Sequence, residues 1–313
     1  MSFLEIKNLK KYYDNPSGRL HAVDDVSLSI AEGEILGVVG ESGCGKSTLG
    51  RVILRLIEPT SGEINYMGTD IVSLKRRDMK KMRTRMQMIF QDPYSSLDPR
   101  MSVSQLISEP FFIYNICKNK KEVDERVDEL MKTVGLDFRY RNAFPHELDG
   151  GRRQRIGIAR ALSLDAEFIV CDEPVSALDV SIQAQILNLL QDLREERKLT
   201  YMFITHDLSV VYHLTNNICV MYLGRVVEYC ESKELFENTL HPYSQALLSA
   251  IPSTDIHDRK ERIILRGEVQ SPIEPPDECR FAPRCKSATD ECYASEPKLR
   301  EVCPGHLVSC HKL

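Results

Sequence analysis

Residues 35–47 read Ile-Leu-Gly-Val-Val-Gly-Glu-Ser-Gly-Cys-Gly-Lys-Ser, an apolar run that empties into a glycine-rich turn. Five apolar or small residues in a row predict a buried strand, and the turn after it has the spacing of a phosphate-binding loop leading into a helix. Glycines at 40, 43 and 45 let backbone N–H groups close round phosphates, and the helix that follows offers its positive N-terminus. Lys46 would reach the β- and γ-phosphates and Ser47 would hold Mg²⁺. Gly40, Glu41, Ser42, Gly43, Cys44, Gly45, Lys46, Ser47 and Thr48 are therefore the candidate nucleotide contacts, and the ligand expected is a nucleoside triphosphate with Mg²⁺.

Outward from this loop, apolar segments Met86–Phe90, Phe168–Cys171 and Tyr201–Ile204 alternate with helical patterns, which predicts an α/β fold with a mostly parallel sheet. Val123, Val127, Leu130, Met131 and Val134 repeat at helical spacing, and Gly135 is placed to stop that helix. A helical insert over about 95–165 is expected to separate two groups of strands. Ile182, Ile186, Leu189, Leu190 and Leu193 mark a further amphipathic helix whose charged face is read as solvated. The segment Phe168–Cys171 runs into Asp172 and Glu173, and Tyr201–Ile204 into Thr205-His206-Asp207. Acids after a strand are common in turns, and a lone histidine is usually structural. At the carboxyl ends of strands in one sheet with a phosphate loop, Asp172 suits the metal, Glu173 an attacking water, and His206 the same end.

The bulk properties narrow the class. A chain of 313 residues buries a full core without disulfide staples, so its ten cysteines call for another role. The start Met-Ser-Phe-Leu-Glu-Ile-Lys lacks the basic and apolar regions of a secretory signal, and no apolar run is long enough to cross a bilayer, so a cytoplasmic chain is expected. In a reducing compartment the cysteines are read as thiols or metal ligands. A formal net charge of −5 gives no electrostatic footprint for nucleic acid. From about Glu231 the periodicity weakens. Pro252, Pro272, Pro275, Pro276, Pro283, Pro297 and Pro304 punctuate a tail holding half of the cysteines, read as a small appended module.

Gly40–Ser47, Gln91, Leu148-Asp149-Gly150-Gly151-Arg152, Asp172-Glu173, Ser176-Ala177-Leu178-Asp179 and His206 occur in the order found in ATP-binding cassette (ABC) ATPases, which the first three quarters of the chain resemble. The segment 90–100, Phe-Gln-Asp-Pro-Tyr-Ser-Ser-Leu-Asp-Pro-Arg, is similar to the oligopeptide/dipeptide/nickel importer branch. The resemblance implies a P-loop nucleotide-binding domain over 1–235 with a helical subdomain, and an importer-type extension over 236–313. It implies that Tyr13 stacks on adenine, with Tyr12 the alternative, that Gln91 senses the γ-phosphate and Mg²⁺, that Glu173 is the general base and that His206 clamps the γ-phosphate. Asp149, Gly150 and Gly151 of the signature are implied to face the nucleotide bound to a second ATPase subunit, and Asp179 is implied to be a nucleotide-binding residue. Two membrane-spanning permease subunits and, indirectly, an extracytoplasmic substrate-binding protein are the implied partners. The chain would sit peripherally on the cytoplasmic face of the membrane. The cargo is read as oligopeptide or dipeptide, with nickel or a metallophore as the alternative.

The signature departs from the family's Leu-Ser-Gly-Gly-Gln. Asp149 replaces the serine that would donate to the γ-phosphate, and Arg152 replaces the glutamine. Asp149 has two readings, a plain N-cap for the next helix or a weakened ATP contact. The second leads to an expectation of a different partner ATPase with an intact signature. In the tail, Cys279, Cys285, Cys292 and Cys310 follow C-x5-C-x6-C-x17-C, and 279–285 and 306–310 resemble the C-terminal extension of peptide-importer ATPases. Four thiols in a Pro-broken cytoplasmic segment suit a metal or a [4Fe–4S] cluster better than a disulfide pair, with free thiols and no metal as the alternative. Cys303, His306 and His311 are alternatives to Cys310. Cys44, Cys117, Cys171, Cys219 and Cys230 are scattered and read as core or incidental.

Rival classes fit less well. Translation-type cassette proteins usually join two cassettes, and repair-type ones split the cassette with a coiled coil. This chain has one cassette and no heptad run. A non-catalytic binding module would not need Lys46, Asp172, Glu173 and His206 together.

Overall fold

The computed structural model describes residues 2–251, 262–265, 267, 268 and 270–313. Pro252, read above as punctuating the tail, lies outside the described residues. The chain forms two compact units, Met1–Leu74 with Phe203–Leu313, and Lys75–Met202.

The first unit opens with β1 (Leu4–Asn15), β2 (Gly18–Ile30), β3 (Ile35–Val39), α1 (Lys46–Ile53), β4 (Ser61–Tyr66) and β5 (Thr69–Asp70). The second holds α2 (Arg76–Arg85), β6 (Met86–Ile89), α3 (Val103–Tyr114), α4 (Lys120–Thr133), α5 (Gly150–Leu162), β7 (Phe168–Asp172) and α6 (Val180–Arg197). The chain passes back along β8 (Thr200–Ile204). It completes the first unit with α7 (Leu208–Leu214), β9 (Asn217–Tyr222), β10 (Arg225–Glu231), α8 (Ser232–Glu237), α9 (Pro242–Ser249), α10 (Asp290–Ala294), β11 (Arg300–Cys303) and β12 (His306–Val308).

In the first unit, β1, β2, β4 and β5 make an antiparallel sheet in the order β2-β1-β4-β5. All five residues of β3 are buried, as a strand covered on both faces requires, and β3 runs parallel to β9 from Leu36↔Asn217 to Val39↔Val220. The antiparallel run β9-β10-β12-β11 extends from there. The tail thus packs with the unit that carries the phosphate loop. Buried Glu228 of β10 accepts from the Leu240 and His241 amides at 2.8 and 3.2 Å and lies 2.8 Å from His306 Nε2 of β12. Phe281 enters the core against Tyr222 and Tyr243, with ring centroids 5.3 and 5.4 Å away. Burial of three aromatic rings there supplies the driving force that a Pro-rich segment lacks by itself.

In the second unit, β6 and β7 pair in parallel from Met86↔Phe168 to Ile89↔Cys171. β6 ends one residue before the sequence expectation, because Asp92 and Pro93 turn the chain: Asp92 Oδ1 accepts from the Tyr94 amide at 2.8 Å, and Phe90 is exposed. The predicted insert helix is α4, whose N-cap Asn119 accepts from the Glu122 amide at 2.9 Å and whose end is followed by Gly135 at φ 66°. Val123, Val127, Leu130 and Met131 are its buried face. In α6, Ile186, Leu190 and Leu193 are buried while Ile182 and Leu189 are half-buried.

Candidate active site

The phosphate loop leaves β3 at Gly40 and enters α1 at Lys46. A Cβ on Gly40, at φ 150°, would stand 2.2 Å from the Met221 carbonyl oxygen, and one on Gly45, at φ 103°, 2.0 Å from the Ala22 carbonyl oxygen. Only glycine fits either position, so the turn is held close against β2 and β9. The buried Lys46 ammonium donates to the carbonyls of Gly40 and Glu41 at 2.7 and 2.9 Å and so lies back across the loop it follows. Cys44 is buried and its thiol is pushed up by that burial, which keeps it neutral beside Lys46. Thr205 donates its amide to the Val38 carbonyl at 3.1 Å, next to the start of the loop, and exposed His206 follows it. Within this unit the backbone leading to His206 therefore runs beside the carboxyl end of β3, where the loop begins.

Of the two tyrosines weighed for adenine, Tyr12 is engaged within the unit. Its ring stacks on His21 with centroids 3.9 Å apart, and its hydroxyl donates to Asp24. Burial and the Asp24 carboxylate both push the Tyr12 phenol up. Tyr13 is half-buried, with the Lys11 ammonium 4.8 Å from its ring centre.

In the second unit, the register Ile89↔Cys171 brings out together the residues two positions further along, Gln91 and Glu173. Gln91 Nε2 donates to Glu173 Oε2 at 2.9 Å, which leaves the amide oxygen of Gln91 for another partner. Asp172 is fully buried at the end of β7, and Glu173 sits at φ 45°. The left-handed backbone turns Glu173 out of the strand direction, a strained conformation of the kind found at functional sites.

The signature segment is the start of α5. Asp149 is its N-cap: Oδ1 accepts from the Arg152 amide at 2.8 Å, and Oδ2 pairs with the Arg152 guanidinium. Both carboxylate oxygens are thus engaged within the segment. Gly150 and Gly151 form the first turn, and exposed Asp179 precedes α6 as its N-cap residue.

The tail cysteines lie in the first unit, and all ten cysteines of the chain are thiols. Burial pushes Cys279 up to about 11 and also raises Cys285, and the thiols of Cys292 and Cys310 add to the rise at both. Cys292 and Cys310 thus each lie within electrostatic range of Cys279 and of Cys285. Among the described residues, no group of three or more His, Cys, Asp or Glu side chains is placed to hold a metal ion. Cys44, Cys171, Cys219 and Cys230 are buried, as core residues would be, and Cys117 is half-buried. No described helix is long and apolar enough to cross a membrane.

Sequence reasoning missed Tyr243 and Arg284. The Glu41 amide donates to the Tyr243 hydroxyl at 2.8 Å, and Arg284 donates to the two Glu41 carboxylate oxygens at 2.6 and 3.1 Å. These partners lie 202 and 243 residues from Glu41, beyond any local pattern.

A family model described as ABC transporter matches residues 23–176, and one described as Oligopeptide/dipeptide transporter, C-terminal region, matches residues 227–292. The chain is 51% identical to a putative oligopeptide transport ATP-binding protein, YkfD of Bacillus subtilis, over 99% of this chain and 95% of the relative. It is 49% identical to the oligopeptide transport ATP-binding protein AppF of the same organism, over 99% and 97%. Among solved structures it is similar to the dimeric ATP-binding cassette MJ0796 in a post-hydrolysis state bound to ADP and Pi. The TM-score is 0.68 and the identity 31%, over 73% of this chain and 98% of that one. Similarity to cbiO1 of Clostridium perfringens, part of the ABC transporter complex cbiONQ, is comparable, with a TM-score of 0.67 and 30% identity over 76% and 91%.

Proposed function

Since the chain belongs to the ABC ATPases of oligopeptide and dipeptide import, we propose how its residues divide the work of ATP hydrolysis. The protein is the ATP-hydrolysing subunit of a peptide importer. The observation that carries the hydrolytic assignment is the hydrogen bond from Gln91 to Glu173 at the ends of two paired strands. Glu173 accepts the proton of the attacking water, and Gln91 fixes the direction in which its carboxylate points. Lys46 and the loop amides from Gly40 to Thr48 hold the phosphates, Tyr13 stacks on adenine, and His206 contacts the γ-phosphate. Tyr13 rather than Tyr12 takes adenine because the Tyr12 ring is already stacked on His21.

Ser47, Asp172 and the amide oxygen of Gln91 are oxygen donors of the kind Mg²⁺ takes, so the residues fit the ion. Mg²⁺ would supply charge neutralisation at the β- and γ-phosphates.

The partners are two permease subunits, a substrate-binding protein outside the membrane and a second ATPase, with this chain peripheral on the cytoplasmic side. The dimeric state of the similar cassette MJ0796 supports pairing of ATPase subunits. A different partner is favoured by Asp149: a carboxylate accepts but does not donate, and both of its oxygens are engaged by Arg152. Two copies of this signature would leave both nucleotides without the usual donor. In the tail, Cys279, Cys285, Cys292 and Cys310 are proposed to hold a [4Fe–4S] cluster. The spacing of the thiols supports this. They would have to draw together and lose their protons to do so.

The test is uptake of a labelled dipeptide or oligopeptide by proteoliposomes holding the purified transporter. ATP-dependent uptake that stops with Lys46→Ala in this chain is expected. Uptake without ATP, or co-purification of the chain with ribosomes or DNA in place of permeases, would refute the reading.

A further inference from the structure

Every polar group of Glu41 is held by a different partner. Its carbonyl accepts from Lys46, its amide donates to Tyr243, and its carboxylate takes both arms of the Arg284 fork. Arg284 is buried, its guanidinium lying 5.9 Å from the Tyr222 ring centre and 3.4 Å from that hydroxyl. Four residues earlier, Arg280 reaches another nucleotide-side element. It pairs with buried Asp24 of β2, which also accepts from Tyr12, and donates to the Leu223 carbonyl. One short segment of the tail, 280–284, therefore grips the phosphate loop with one arginine and the Tyr12 end of the β1–β2 pair with the other.

We propose that Arg284 and Tyr243 are positioning residues of the nucleotide site, through which the C-terminal extension holds the phosphate loop in its binding shape and cancels the charge of Glu41. Glu41 is the one acid of the loop, and an uncompensated carboxylate there would oppose the triphosphate. The bidentate Arg284 pair both neutralises it and fixes its direction, which a flexible ammonium would not do. The Tyr243 hydroxyl fixes the loop backbone at the same residue. The extension thereby becomes part of the ATP site without touching ATP. The inference rests on the loop being the ATP site.

The test is equilibrium binding of Mg²⁺ with a methylanthraniloyl-labelled ATP to the full-length chain, with thermal unfolding measured alongside. Arg284→Gln is expected to weaken binding about tenfold, the loss of a charge-assisted pair. Glu41→Gln added to Arg284→Gln is expected to restore most of that loss, since the offending charge is then gone. Tyr243→Phe removes one oxygen only and is expected to weaken binding about threefold with little change in the unfolding temperature. Binding by Arg284→Gln within twofold of wild type, or additive losses in the double variant, would overturn the proposal. If Arg284→Gln does not fold, unchanged affinity in Tyr243→Phe overturns it alone. Wild-type protein that fails to bind the nucleotide at all would refute the ATP-site reading and the inference with it.

Discussion

Gln91 Nε2 donates to Glu173 Oε2 at 2.9 Å across the carboxyl ends of β6 and β7, a contact fixed by the pairing of Ile89 with Cys171 two residues earlier. A parallel register carries equal steps on both strands to the same level, so one backbone alignment sets the direction of the Glu173 carboxylate.

Glu173→Gln is expected to lower steady-state ATP hydrolysis by the assembled transporter about 10²- to 10⁴-fold, because an amide keeps the shape but takes no proton. Nucleotide affinity should stay near the wild-type value. Phosphate release and nucleotide binding measured on the same preparation check this, and near-normal turnover would remove Glu173 from the role.

The Asp149 signature predicts unequal sites in the transporter. Changing Glu173 here should abolish most hydrolysis, whereas changing the corresponding glutamate of the partner ATPase should spare most of it. At about 4 Å from a phosphate oxygen, a carboxylate costs up to about 4 kcal/mol at an effective dielectric near 20, part of which Arg152 offsets. Equal losses from the two changes, or full activity as a homodimer, would leave Asp149 a helix cap and nothing more.

Protein purified without oxygen is expected to carry about four iron and four sulfide per chain, with the visible absorbance of such a cluster. Cys279→Ser or Cys292→Ser should remove both. Absence of iron and sulfide, or stoichiometric zinc, would contradict the cluster.

His241 sets a pH limit on stability. It is buried as the N-cap of α9, Nδ1 accepting from the Tyr243 amide at 3.1 Å, and burial lowers its pKa to about 4, against a rise from a Ser309 backbone hydrogen bond. The unfolded chain, with an ordinary value near 6.5, binds the proton more readily. The stability is therefore complete above about pH 6.5 and is lost as pH falls through 4, about 3 kcal/mol from this group. His241→Asn keeps a capping oxygen and should flatten this part of the curve. Denaturant melts at pH 7.5 and 5 of both forms check it, and parallel curves would count against the assignment.

Much of this was legible in the chain. Ile35–Ser47 specified strand, turn and helix because its glycines, apolar run and lysine are local signals. The α4 helix could be read from its spacing and from Gly135, and Glu173 and His206 from the strands before them. Asp149 could be read as a cap, and its reply to Arg152 lies within one helical turn. Each of these depends on interactions between residues close in sequence.

The tertiary structure decided what lies over long separations. Periodicity in the tail is weak, so no pattern announced that Phe281 would enter the core beside Tyr222, or that β12 would pair with β10. The resemblance pointed to Tyr13, with Tyr12 as the alternative, and nothing in the sequence announced that Tyr12 would stack on His21 and bond to Asp24. The hold of Arg284 and Tyr243 on Glu41 spans 243 and 202 residues. Such contacts follow from burying the tail's aromatic residues on the phosphate-loop unit. That burial is a property of the whole packed core, and no short stretch of sequence carries it.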